Sequence, residues 1–315
     1  MSPSRHPIIV FGDDWGRHVS SMQHVFREIV ARRDVVWVNG IGHRLPTLRL
    51  GDLRRAVEKG VLMLGAARKA ENGRIDGVAP RVTIEPRVLP WHHRGPVQAI
   101  NRWSLGRAIH GALASLGRTA PPVLVTGSPP SAPLVGRLGE VASLYFCMDD
   151  FSHLAGVSHG MLEPLEKRLL ATVDAVVSTA RSLTESKVPA RGQAHYLPQG
   201  VNYDHFARPR EEPTELAGLP RPLIGFAGAV SECCDLGLIR AVAEAHPGGS
   251  VVLVGPITGP TDGLDLPNIH ILGARPYRDL PAYVQRFDVG LIPYLLNEWT
   301  RAVDPLKLLE YLAAG

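Results

Sequence analysis

Short apolar runs, each followed by a stretch of helical spacing, recur along almost the whole chain. "IIVFG" (8–12), "VVWVNG" (35–40), "PVLVTG" (122–127), "VASLYFCM" (141–148) and "DAVVSTA" (174–180) are continuous rather than alternating runs. Strands that read this way are buried on both faces, as in a parallel sheet covered by helices. "HVFREIVARR" (24–33) and "GMLEPLEKRLLATV" (160–173) supply helical spacing between them. The alternation pauses in the proline-rich "ARPREEPTELAGLPRP" (207–222) and then restarts. Strands are expected at 223–230, 250–256, 269–273 and 288–294, and helices at 236–246, 277–287 and 305–314. The expectation is an α/β chain of two tandem Rossmann-like, doubly wound domains: 1–206, a linker over 207–222, and 223–315. In such folds ligands bind beyond the carboxyl ends of the strands, so a cleft between the domains is the expected site.

At 315 residues the chain exceeds one ordinary core. A net charge of +4 and a pI near 9.1 suit anionic partners without naming one. Cys147, Cys233 and Cys234 have no C-x-x-C spacing and fit a reducing compartment. Neither a secretory signal nor a run of about 18 apolar residues is present, so the expected location is cytoplasmic, with peripheral attachment to the inner face of the plasma membrane left open. The stretch 81–118 holds six Arg and three His against one Glu and carries Trp91 and Trp103, and residues 44–74 add eight Lys or Arg against three acids. Such segments are either solvated faces or contacts to anionic lipid headgroups. No nucleic-acid recognition module is visible.

No metal signature, nucleophile elbow or P-loop is found. His92 and His93 in "WHHRG" are adjacent and lack a third ligand nearby, so they read as solvated or acceptor-side residues. Gly12 and Gly228 each follow a first strand, where a helix N-terminus offers free N–H groups to a diphosphate; the plain alternative is a tight βα turn. Asp13 and Asp14 precede Trp15, and Asp149 and Asp150 precede Phe151. Asp14, Asp149 and Asp150 can orient sugar hydroxyls or act as bases, or else cap the following helix. In "DPLKLLEYLAAG" (304–315), Asp304 is the expected cap, Leu306, Leu309 and Leu312 the expected apolar face, and Lys307 and Glu310 lie side by side. That pair is either a surface ion pair or a clamp in which Glu310 takes ribose hydroxyls and Lys307 a diphosphate.

Taken in order, these segments resemble the GT-B glycosyltransferases, particularly family-4-like bacterial enzymes of polysaccharide and glycolipid synthesis. "DDWGRHVSSMQH" is similar to a W…R-x-Q-H loop, with Ser21 at the arginine position. "LYFCMDDF", "LATVDAVVSTARSLTES", "LPQGVNYDHF", "RFDVGLIPY" and "DPLKLLEYLAAG" each match a motif of that group in the same order. The resemblance implies transfer of a sugar from a UDP- or GDP-linked donor to a lipid-linked or polysaccharide acceptor, with retention and without metal or other cofactor. It implies that the first domain takes the acceptor, with Trp15, His92, His93 and Trp103 on that side. It implies that the second domain takes the nucleotide sugar, with Glu310 on the ribose. Many such enzymes carry a second Glu eight positions earlier, where this chain has Ala302, so Asn297, Glu298 or Thr300 is expected to contact the sugar. The family continues beyond a glycine such as Gly315, so the second domain is expected to be incomplete. A nucleotide-sugar epimerase of the same architecture and a non-catalytic binding protein are the competing readings.

Overall fold

The computed structural model describes residues 6–17, 20–43, 45, 77–117, 119–154 and 156–315. The basic stretch 44–74 lies outside them save residue 45. The chain divides into two compact units, Met1–Pro198 and Gln199–Gly315.

The first unit is built on a seven-stranded parallel sheet: β1 (Ile8–Phe11), β2 (Val35–Val38), β3 (Val82–Ile84), β4 (Val123–Thr126), β5 (Ala142–Cys147), β6 (Ala175–Ser178) and β7 (Gln193–Tyr196). Their order is β3-β2-β1-β4-β5-β6-β7. Every residue of β1 and β2 is buried, as their unbroken apolar runs require. The helices are α1 (Ser21–Val30), α2 (Gly95–Ser115), α3 (His159–Thr172) and α4 (Arg181–Ser186). Helix α1 begins three residues before the expected start because Ser20 caps it, its hydroxyl accepting from Gln23 N–H at 3.4 Å. Helix α2 has no sequence forecast of its bounds, because apolar residues occupy both of its faces and blur the 3.6-residue contrast. Strand β7 is polar and largely exposed, so it too lacks the apolar signal.

Under β1 the core is aromatic. Trp37 packs edge-on against Trp15 (4.7 Å between ring centres) and Phe26 (5.6 Å). The Trp37 indole fills the space a Cβ would need at Gly12, and its Nε1–H donates to Asp13 O at 2.8 Å. The glycine after β1 is thus demanded by packing.

The second unit has four parallel strands: β8 (Leu223–Ala227), β9 (Ser250–Val254), β10 (Ile269–Gly273) and β11 (Val289–Gly290), in the order β10-β9-β8-β11. Its helices are α5 (Tyr203–Ala207), α6 (Leu236–Ala245), α7 (Leu280–Val284), α8 (Glu298–Arg301) and α9 (Leu306–Ala314). The strand expected over 288–294 shrinks to Val289–Gly290; Leu291 N–H still reaches Gly225 O at 2.7 Å, and Pro293 has no N–H to carry the ladder further. The helix expected over 277–287 becomes a 3-10 turn, Tyr277–Asp279, then α7, which opens with Pro281 in its first turn.

Residues 199–222 pack as part of this second unit. Phe206, fully buried, joins Ala227, Val284 and Ala313. Leu216, 1% exposed, joins Leu223, Val252 and Val254. Gln285 Nε2 donates to Phe206 O (2.6 Å) and Arg208 O (2.7 Å). The proline-rich composition expected of a linker belongs to a packed strap held by single apolar anchors. Among the described residues, no helix is long and apolar enough to cross a membrane.

Leu216→Ala should therefore cost about 2–5 kcal/mol in urea unfolding of the second unit, the range for a buried leucine. A free linker residue would change stability by under about 0.5 kcal/mol.

Candidate functional site

In each sheet the winding reverses at its first strand. In the second unit that strand is β8, with β9 on one side and β11 on the other. The crevice beyond their carboxyl ends is where a doubly wound sheet admits ligands. Gly228 follows β8, its N–H bound to Val254 O at 2.8 Å. The Lys307 stem lies where a Gly228 Cβ would be. The Lys307 ammonium sits 5.7 Å from the Phe226 ring centre and 5.6 Å from that of Tyr294. Helix α9 is fastened across β8 and the chain after β11 by Tyr311. Its hydroxyl accepts from Ala227 N–H and donates to Leu291 O, each at 3.0 Å. Gly290 leaves room for that ring.

Glu310 precedes Tyr311 and is 8% exposed. Burial pushes its carboxyl up to about 7, against a downward pull from Lys307. Pro305 holds the N-cap position of α9, and no side chain caps its first turn. Asp304, the expected cap, does not serve as one. The inward face also differs from expectation: Glu310 and Ala313 are buried, while Leu312 is 70% exposed. The first-turn N–H groups, Lys307 and Glu310 thus combine anion-binding donors with an acceptor for hydroxyls.

Asn297 and Thr300 are engaged with each other. Thr300 N–H donates to Asn297 Oδ1 (2.9 Å) and Asn297 N–H donates to Thr300 Oγ1 (3.0 Å), forming the capping box of α8. Glu298 pairs with Arg301 at 2.8 Å on the surface. Ala302 is buried.

In the first unit the reversal lies between β1 and β4. A small concavity there is lined by Gly12, Asp13, Gly40, His43, Gly127, Ser128 and Met148. His43 Nε2 and Ser128 Oγ are hydrogen-bonded at 3.0 Å. His43, Gly40, Gly127 and Ser128 were not singled out from the sequence, although a Gly-Ser pair directly after "PVLVT" marks a strand end. Asp14 closes the β1 and β2 loops together. One of its oxygens accepts from Gly40 N–H (3.1 Å) and the other pairs with Arg17 (3.2 Å).

Asp150 belongs to a different arrangement. Its carboxylate binds Lys187 Nζ (3.0 Å) and His153 Nδ1 (2.7 Å) and accepts from Ser152 N–H (3.1 Å). Lys187 also meets Glu166 at 2.8 Å, and Glu166 accepts from the buried Tyr145 hydroxyl at 2.7 Å. Burial alone would raise the Asp150 carboxyl, but the bonds from His153 and Lys187 together hold it at about 2. So low a value makes a poor proton acceptor at neutral pH; Asp150 fixes the loop after β5. The backbone carbonyl of Asp149 accepts from the Cys147 thiol at 3.5 Å.

Two expected acceptor-side residues turn inward. Trp15 is 6% exposed in the Trp37 core, and its backbone N–H donates to Asn39 Oδ1 at 3.0 Å. His92 is 3% exposed. Its Nε2 meets Ile41 O at 2.8 Å and its Nδ1 faces Asn101 Nδ2 at 3.3 Å, so both ring nitrogens are occupied. His93 and Trp103 are exposed. Among the described residues no group of three His, Cys, Asp or Glu side chains could hold a metal ion.

No family model matches the chain. The curated protein TuaH of Bacillus subtilis (strain 168), whose name assigns it to glycosyl transfer in teichuronic acid biosynthesis, is 29% identical over 168 residues. That match covers 49% of this chain and 42% of TuaH, so the chain matches less than half the length of this relative. Among solved structures, the α,α-trehalose-6-phosphate synthase of Burkholderia multivorans aligns over 98% of this chain and 81% of its own, with TM-score 0.58 and 14% identity. The UDP-forming α,α-trehalose-phosphate synthase of Burkholderia xenovorans, solved with glucose-6-phosphate, aligns over 98% and 82% with TM-score 0.59 and 13% identity. The fold is GT-B. Two tandem Rossmann-like units, each with a crevice at its own winding reversal, are this architecture seen from its parts. At such identities the likeness shows the GT-B fold alone.

The Lys187 network gives the first unit a sharp test. Lys187→Met strands Glu166 and Asp150 without their cation and should cost about 3–5 kcal/mol in chemical unfolding. A loss under 1 kcal/mol would mean the network is not a structural tie.

Proposed function

We propose that the protein is a glycosyltransferase that moves a sugar from a nucleoside diphosphate sugar to a glycan or lipid-linked acceptor. The observation that carries this reading is the second-unit crevice, where Lys307, the uncapped first turn of α9 and a buried Glu310 adjoin the end of β8. In this reading Glu310 accepts the ribose hydroxyls. Lys307 and the first-turn N–H groups face the diphosphate and oppose the charge that develops on it as the glycosidic bond breaks. The reading assigns that stabilisation to protein groups without a metal, and takes the transfer to proceed with retention. UDP and GDP donors both suit a carboxylate that contacts only ribose. The His43–Ser128–Asp13 concavity of the first unit supplies hydroxyl-binding groups for an acceptor. The kinship with TuaH supports a surface polysaccharide or its lipid-linked precursor as that acceptor.

Glu310 separates this reading from a structural one by the sign of two effects. Burial pushes its folded carboxyl up to about 7 from the ordinary 4.5. Its ionisation therefore opposes folding: stability is full below about 4.5 and falls as pH rises toward 7, by about 3 kcal/mol in all. Glu310→Gln should raise unfolding stability at pH 8 by up to that amount and leave it unchanged at pH 4. The same substitution should weaken binding of UDP- or GDP-sugars by tenfold or more in a thermal-shift or calorimetric titration. Unchanged affinity would refute the ribose role.

A further inference from the structure

Helix α2 is unusual for a helix with one face on solvent. Its inward positions carry Asn101, Leu105, Ile109 and Ala112. Its outward positions carry Ile100, 52% exposed, and Trp103, 69% exposed, with small residues at 99, 108, 111 and 114 and Arg107 among them. A helix apolar on both sides is normally covered on both sides. The preceding strap widens this surface. Asn101 grips both the N–H and the C=O of Leu89 at 2.8 Å, and Ser104 Oγ donates to Arg87 O at 3.0 Å. Those bonds hold Leu89 (40% exposed) beside the helix, with Trp91 (39% exposed) close behind it in the chain.

Charge along this stretch of chain has one sign. Between Glu85 and Glu140 the sequence contains no Asp or Glu. Arg87, Arg94, Arg102 and Arg107 all fall in that interval, and no carboxylate pairs with any of them among the described residues. Some surface arginines elsewhere pair with carboxylates, as Arg240 does with Glu244 at 2.8 Å and Arg221 with Asp288 at 2.6 Å. A solvated face would intersperse acids; an interface with a polyanion would not.

We propose that this face of the first unit docks on the headgroup layer of a bilayer containing anionic phospholipid. Trp103, Ile100 and Leu89 enter the interfacial layer, and Arg87, Arg94 and Arg107 meet the phosphates. The apolar members favour a lipid surface over a nucleic acid. An aliphatic pair such as Ile100 and Leu89 gains by entering an acyl boundary and gains little on a phosphate backbone. The proposal concerns attachment alone and stands whether or not the second-unit crevice transfers sugar.

The test is co-sedimentation of the full chain with vesicles of phosphatidylcholine containing 30% phosphatidylglycerol, and with pure phosphatidylcholine vesicles. Binding is expected to the anionic vesicles only and to vanish in about 0.5 M NaCl. Each of Arg94→Glu and Arg107→Glu should weaken it by at least about fivefold. Trp103→Ser should weaken it while leaving the unfolding midpoint unchanged, because the side chain is exposed. Arg278→Glu, an exposed site in the second unit, should leave it unchanged. Four results would each overturn the proposal. They are no vesicle binding, equal binding to neutral vesicles, displacement of the protein from vesicles by duplex DNA or RNA at comparable affinity, and a Trp103-dependent dimer that ignores vesicles.

Discussion

Both sheets grow outward in two directions from their first strand, and this winding constraint decides where chemistry can occur. Parallel strands need crossovers, and crossovers of one hand put successive helices on one face until the direction reverses. At the reversal the two flanking connections leave in opposite directions and a crevice opens. In the first unit it opens beyond β1 and β4, and in the second beyond β8 and β11. Gly12, Gly127, Gly228 and Gly290 all lie at or next to these strand ends. A Cβ at Gly12 or Gly290 would collide with the ring of Trp37 or Tyr311, one at Gly228 with the Lys307 stem and the Phe226 ring, and one at Gly127 would crowd Met22. The glycines shape the crevices through the side chains they admit.

Carboxylates in the two units are tuned in opposite directions. Asp150 is surrounded by donors and kept ionised. Glu310 is buried, the pull of Lys307 offsets that burial only in part, and its carboxyl rises to about 7. The first arrangement ties down a loop; the second keeps a carboxyl buried at a cost to the fold. Keeping a group whose ionisation destabilises the fold makes physical sense where a ligand completes its hydrogen bonds. Tyr311 makes the arrangement tolerable by pinning α9 to two strand ends, so that Glu310 cannot relieve its burial by swinging out.

Much of the fold was legible because its central strands are buried on both faces. The runs at β1, β2, β8 and β9 cannot be read as half-exposed strands. Legibility failed where burial depends on distant partners. Trp15 and His92 sit in polar local sequence and read as surface residues, yet Trp37, Ile41 and Asn101 enclose them. Phe206 and Leu216 are isolated apolar residues in polar stretches, invisible to a periodicity argument, and they bind residues 199–222 to the second unit. Lys307 and Glu310 were recognisable from "DPLKLLEYLAAG", but the burial of Glu310 was not, because the leucines of that segment suggested a different inward face. The concavity around His43 was unreadable since its members come from four separate strand ends.

The central claim is that a nucleotide sugar hydrogen-bonds to Glu310 and draws it into the ionised form. Calorimetric titration of UDP- or GDP-sugar at pH 6.5, in two buffers of different ionisation enthalpy, counts protons released on binding. Nucleotide sugars suit this measurement because they lack the terminal phosphate monoester that titrates near 6. The account predicts release of a substantial fraction of one proton by the native chain and none by the Glu310→Gln variant. Binding with no buffer dependence, or with the same proton release in both proteins, would contradict it.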